Sequence, residues 1–197
     1  MGQKVFPYLA KARKTGYTKH NRSDNRKPVS EVKPLRLTMP RFVGEPQFDR
    51  LPVHMLRCAA ETPPNDRIYA QAQLCRTDER IFARIWTFES APAPQVCLAA
   101  AFSANGHTVE ARVTIGGEAT LLLDGVSAEN KLTAYLFAGE DLQGVFHGAV
   151  LAIDAEAFFE TLGVQPDETA GTIGANLMRI GGSISALAEQ GAYVPVE

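Results

Sequence analysis

Residues 68–89 constrain the fold of this 197-residue chain more than any other stretch. Residues 68–75 read IYAQAQLC, residues 81–88 read IFARIWTF, and the connection between them is TDER. Successive strand side chains point to opposite faces, so two alternating runs rich in β-branched and aromatic residues predict a β-hairpin. In its second strand Ile81, Ala83 and Ile85 point one way, and Phe82, Arg84, Trp86 and Phe88 the other. Both faces ask for cover, which places the strand near the middle of a sheet. A wholly wet face has no use for the only tryptophan of the chain, and a wholly dry one has no use for an arginine between Phe82 and Trp86. Two readings fit. Either Trp86 and Phe82 are core and Arg84 reaches solvent along them, or an aromatic and guanidinium surface on a stiff strand floors a polar ligand with apolar patches, such as a sugar.

The remaining chain continues in strands and turns. Residues 36–39 suggest an edge strand stopped by Pro40, and residues 48–58 are mixed and broken by Pro52. Strands are expected at 96–102, 107–115, 119–123, 132–137, 145–153 and 171–180, with turns at ANGH (104–107), Gly116-Gly117 and Asp124-Gly125. One helix is expected over residues 154–162, with Asp154 as N-cap, an apolar stripe of Ala157, Phe158 and Leu162, and Gly163 as its stop. Nine or so short strands, closely spaced turns and a single helix indicate an all-β fold, an antiparallel β-sandwich.

Charge divides the chain. Residues 1–36 hold ten Lys or Arg and two acids, whereas residues 37–197 hold ten basic and twenty acidic residues. The first segment lacks any apolar period and is expected to be a disordered basic leader; the second is the sandwich domain. The leader's charges are scattered and only Tyr17 accompanies them, which argues against a nucleic-acid surface. No run of about 18 apolar residues exists, so no membrane span is expected. The apolar run VFPYLA (5–10) is too short for a signal peptide and broken by Pro7. Three cysteines, Cys58, Cys75 and Cys97, make neither a disulfide framework nor a metal knuckle. Packed, reduced thiols in the cytoplasm are the economical expectation.

Catalytic signatures are missing: no P-loop, no GxSxG, no HExxH, and four scattered histidines. His147, between Phe146 and Gly148, reads as structural or surface. Glycoside hydrolysis would need two carboxyl groups about 5 to 9.5 Å apart in a cleft, which spacing along a chain does not reveal.

Three stretches together resemble DOMON-like proteins related to family 9 carbohydrate-binding modules. They are the hairpin AQAQLCRTDERIFARIWTFESAP (70–92), the strand running into a helix GVFHGAVLAIDAEAF (144–158), and the late strand GTIGANLMRIGG (171–182). The resemblance covers residues 37–197. It implies a β-sandwich that binds a carbohydrate or other small polar ligand without catalysing a reaction, sometimes with a calcium ion. The residues expected to carry binding are Trp86 as stacking platform, Arg84 as donor to hydroxyls, Asn176 as a bidentate contact and, more weakly, Glu89. An Asn that only satisfies backbone between Gly-rich turns is an equal reading of Asn176. Glu89 points opposite Trp86 along its strand. Sugar modules of the family resemble a clamp of two tryptophans, so a second wall here would come from Tyr69, Phe102, Phe137, Phe146 or Tyr193. The rival from another class is an interaction domain that binds a partner protein through an exposed sheet edge, with the leader as tether.

Overall fold

A computed structural model describes residues 35–197 apart from residues 60 and 190. The leader expected over residues 1–36 therefore lies almost wholly outside the described residues. Twelve strands follow, β1 His54–Cys58, β2 Ala70–Arg76, β3 Arg80–Thr87, β4 Cys97–Ala104, β5 His107–Thr114 and β6 Ala119–Leu123 among them. Then come β7 Val126–Ser127, β8 Leu132–Asp141, β9 Gly144–Asp154, the helix α1 Ala155–Leu162, β10 Gly174–Ile180, β11 Ile184–Ala186 and β12 Val194–Pro195.

All the ladders between these strands are antiparallel, and two isolated parallel bridges, Leu37 to Val196 and Arg41 to Arg76, lie outside them. The strands run in the order β7-β6-β5-β4-β10-β11-β1-β2-β3-β9-β8, with β12 also on β10. The ladder curls so that one half faces the other: β3 lies against β10 and β4, β9 against β5 and β4, β8 against β6. The expected sandwich is thus a single sheet folded on itself. Between the halves pack Leu74, Ile81, Ile85, Leu151 and Ile153 from one side and Leu98, Phe102, Val113, Leu121 and Leu177 from the other, all nearly free of solvent contact.

Local chemistry explains the boundaries. Thr77 Oγ1 accepts from the amides of Glu79 and Arg80, closing the TDER turn, and register runs unbroken from Ala70 opposite Thr87 to Arg76 opposite Ile81. The turn between β4 and β5 needs Asn105 and Gly106 at positive φ, 54° and 85°, the two-residue geometry that matches strand twist. Asp154 Oδ1 accepts from the Ala157 amide at 3.0 Å to start α1, and Gly163 stops it in the left-handed region at φ 60°. Phe158 and Leu162 then cover one end of the core, Phe158 meeting Phe102 edge-on at 4.9 Å.

Two sequence expectations are corrected. Residues 36–39 do not form a regular edge strand; Leu37 and Met39 are buried and donate their amides to Pro195 and Glu197, so the segment is pinned by the chain's far end. The last expected strand starts at Gly174 rather than residue 171, and β11 and β12 follow it. The first miss concerns a partner distant in sequence, which period-two patterning does not report, whereas β11 pairs with its neighbour β10 but is only three residues long, too short to show a period.

Candidate functional site

Register builds the site. Met55, Gln71, Trp86, Gly148 and Phe137 align as one row across β1, β2, β3, β9 and β8, and Gln73, Arg84, Val150 and Tyr135 form the next. Ile85 and Leu74 face the core from these strands, so alternation puts both rows on the opposite, outer face. Tyr69, Tyr135 and Met55 stand exposed on it, at 63%, 59% and 49%.

Arg84 is the centre of that face. Its Cζ lies 4.9 Å from the ring centroid of Phe137, 5.2 Å from that of Trp86 and 5.4 Å from that of Phe48. Three negative ring faces hold the guanidinium by cation–π attraction. Burial pushes its pKa down from the usual arginine value, yet an arginine keeps its charge. Gln73 fixes the arrangement from below. Its Nε2 donates to the Phe48 and Leu51 carbonyls at 2.8 and 3.1 Å, anchoring the loop that brings Phe48 over the sheet, while its Oε1 takes Arg84 Nη1 at 3.4 Å. That long contact is the single hydrogen bond of the Arg84 side chain among the described residues. A guanidinium has five donors, so its edges keep donors for a ligand's oxygens.

Phe137 can lie flat across the neighbouring strand because position 148 is glycine: a Cβ there would stand 2.4 Å from Phe137 Cζ and 2.7 Å from the Ile85 carbonyl oxygen. Phe146 continues the aromatic row, 6.2 Å from Phe137 and 6.3 Å from Phe88. Of the five candidates for a second aromatic wall, Phe137, Phe146 and Tyr69 belong to this face. Phe102 is sealed in the core, and Tyr193 sits against Gly174 on the opposite half of the sheet.

Arg84 and Trp86 are brought together, but Trp86 is only 9% exposed. Its expected role changes accordingly: the indole underlies the guanidinium instead of presenting an open plane. Asn176 and Glu89 stand elsewhere. The Asn176 amide, 2% exposed, donates toward the carbonyls of Ala188, Glu189 and Ala192 and accepts the Ala188 amide, so it organises the loop after β11. Glu89 turns inward, where its carboxylate takes two donors from Arg179 and the Thr87 hydroxyl. His147 Nδ1 lies 2.9 Å from the Glu89 carbonyl oxygen, an acceptor only, so that nitrogen carries the proton and the ring is structural. Gln71 and Gln73, unremarked in the sequence, could have been found by counting the hairpin register back from TDER. Nothing local ties Phe48 to Arg84.

Among the described residues no group of three or more His, Cys, Asp or Glu side chains converges to hold a metal ion. Nor is any helix among them long and apolar enough to cross a membrane.

Fold and site together define a β-sandwich with a caged arginine on one sheet face. No protein-family model matches the chain, and no curated protein does. Solved structures share its fold. A candidate carbohydrate-binding protein from Bacteroides uniformis superposes with a TM-score of 0.60 at 11% identity, over 82% of this chain and 97% of the other. A family 9 carbohydrate-binding module from Caldicellulosiruptor kristjanssonii in complex with glucose gives 0.55 at 10% identity, over 83% and 96%. The same organism's module with cellotriose gives 0.55 at 10%, over 83% and 93%.

Proposed function

We propose that this chain is a non-catalytic carbohydrate-binding module of the DOMON-like, family 9 kind, and that the outer face around Arg84 receives the sugar. The observation that carries the proposal is the guanidinium held within 5.4 Å of three aromatic rings on a sheet face that is partly covered by the Phe48 loop. Its N–H edges supply charge-assisted hydrogen bonds to hydroxyls, while Phe137 and the exposed rings of Tyr69 and Tyr135 offer apolar planes to the sugar's C–H faces. Neighbouring folds bound to glucose and cellotriose support the ligand class. Three free thiols, Cys58, Cys75 and Cys97, support a reducing, cytoplasmic setting.

The test is a tryptophan fluorescence titration. Trp86 is the only tryptophan and lies 5.2 Å from the Arg84 Cζ, so ligand contact with Arg84 is reported by one fluorophore. Saturable quenching by glucose, cellotriose or another defined glycan, lost in Arg84→Met, is the expected result. No response to a broad glycan panel, with a partner protein instead captured through the exposed β8 edge, would overturn the reading in favour of an interaction domain.

A further inference from the structure

The sandwich holds two buried arginines at inward-facing positions on opposite ends, and they are unlike. Arg179, 2% exposed, is closed on Glu89. Arg76, 8% exposed at the far end of β2, enters none of the ion pairs or side-chain hydrogen bonds among the described residues, and its Nε is buried without a partner. Its guanidinium lies 5.8 Å from the Phe159 ring centroid and lines a groove of about 830 Å³ beside α1. A buried guanidinium donor without an acceptor is unfavourable, and planar carboxylates match its fork. The groove's other arginine, Arg41, is already taken by Asp78 at 2.6 Å.

The rest of the lining selects among anions. Phe159, Val164 and Pro166 supply an apolar wall, and Glu156, Glu160 and Asp167, none of them in an ion pair among the described residues, supply negative charge. Together with Asp78 these carboxylates outnumber the groove's two arginines, so they disfavour a phosphate dianion and favour a ligand that brings its own cation. The volume suits a small molecule.

We propose that this groove is a second ligand site, separate from the Arg84 face, for a small zwitterionic amino-carboxylate: its carboxylate on Arg76, its chain along Phe159, its ammonium toward Glu160 and Asp167. The probes are 5-aminopentanoate, pentanoate, pentylamine and inorganic phosphate, added to the full chain while the arginine Nε–H resonances are followed by NMR. Expected is a saturable shift of the Arg76 signal with 5-aminopentanoate, several-fold weaker with pentanoate and absent with phosphate. Asp167→Asn, at an exposed position, should erase the advantage of 5-aminopentanoate over pentanoate, and Arg76→Lys should weaken both. No saturable shift with 5-aminopentanoate at about 50 mM would overturn the site. Equal binding of phosphate, or an unchanged preference in Asp167→Asn, would overturn the zwitterion assignment.

Discussion

Arg179 of β10 closes its guanidinium on the carboxylate of Glu89, which follows β3: Nη2 stands 2.7 Å from Oε1 and Nε 3.1 Å from Oε2. The pair bridges the two halves of the curled sheet, with the remaining Nη1 donating to the Ser183 carbonyl at 2.7 Å and Thr87 donating to Glu89 at 2.7 Å. Side-chain exposures of 2% and 16% put it among buried pairs, where removing one partner strands the other's charge. Arg179→Met should therefore destabilise by about 3–5 kcal/mol, read as a lower urea midpoint at unchanged slope. Joint replacement of both residues by methionine should recover most of that loss. A single variant as stable as the parent would show that the pair does not clamp the halves together.

Gly148→Ala tests the floor of the binding face. The added methyl meets the Ile85 carbonyl oxygen at 2.7 Å as well as the Phe137 ring at 2.4 Å, so a ring rotation alone does not relieve it. A loss of about 1–3 kcal/mol is expected, together with weakened sugar binding as Phe137 lifts away from Arg84. At Gly139 the three nearest atoms all belong to the Phe146 ring, so Gly139→Ala should be milder in thermal melts.

Arg84 separates binding from stability. Arg84→Met keeps the stem's packing among the rings but deletes the donors, and loss of charged hydrogen bonds worth about 1.5–3 kcal/mol corresponds to roughly tenfold to hundredfold weaker sugar affinity. Its melting temperature should stay near the parent's, because a half-buried charge is removed and one 3.4 Å hydrogen bond lost. Affinity within twofold of the parent's would move the sugar away from this face.

Acid should loosen the fold in two stages. Burial holds the His54 pKa below the ordinary histidine value, so its contribution is complete above the unfolded value of about 6.5 and is lost as pH falls through the folded one. Asp124 follows at lower pH. Its carboxylate is held below the usual range first by the Thr108 amide and then by His107, so its contribution is present above about 3.9 and is lost as pH falls through its folded value. His54→Gln should flatten the first stage alone, and Asp124→Asn the second alone, in stability measured by urea titration across pH.

Burial raises the Cys75 thiol to about 12, so almost none of it is thiolate near neutrality. It should resist iodoacetamide in the folded protein and react on unfolding, checked by mass spectrometry of peptides from each state. Prompt labelling of native Cys75 would mean that β2 opens locally.

Alternation in residues 68–89 was enough to define the hairpin, its inner and outer faces and the place of Arg84 beside Trp86, because strand parity is a local property of the backbone. The capping residues Asp154 and Gly163 marked α1 for the same reason: their hydrogen bonds reach only a few residues away. What residues 36–39 would pair with, which of two inward arginines would find a carboxylate, and whether Asn176 would face a ligand or a loop were decided only on folding. The first two join residues 161 and 90 positions apart, as Arg36 joins Glu197 and Arg179 joins Glu89, and the Asn176 partners lie 12 to 16 positions on. Parity assigns a side chain to a face; it carries no information on which distant strand or loop arrives to cover it, so Arg84 was placed correctly beside Trp86 on its strand while the arrival of Phe48 and Phe137 around its guanidinium came from tertiary packing alone.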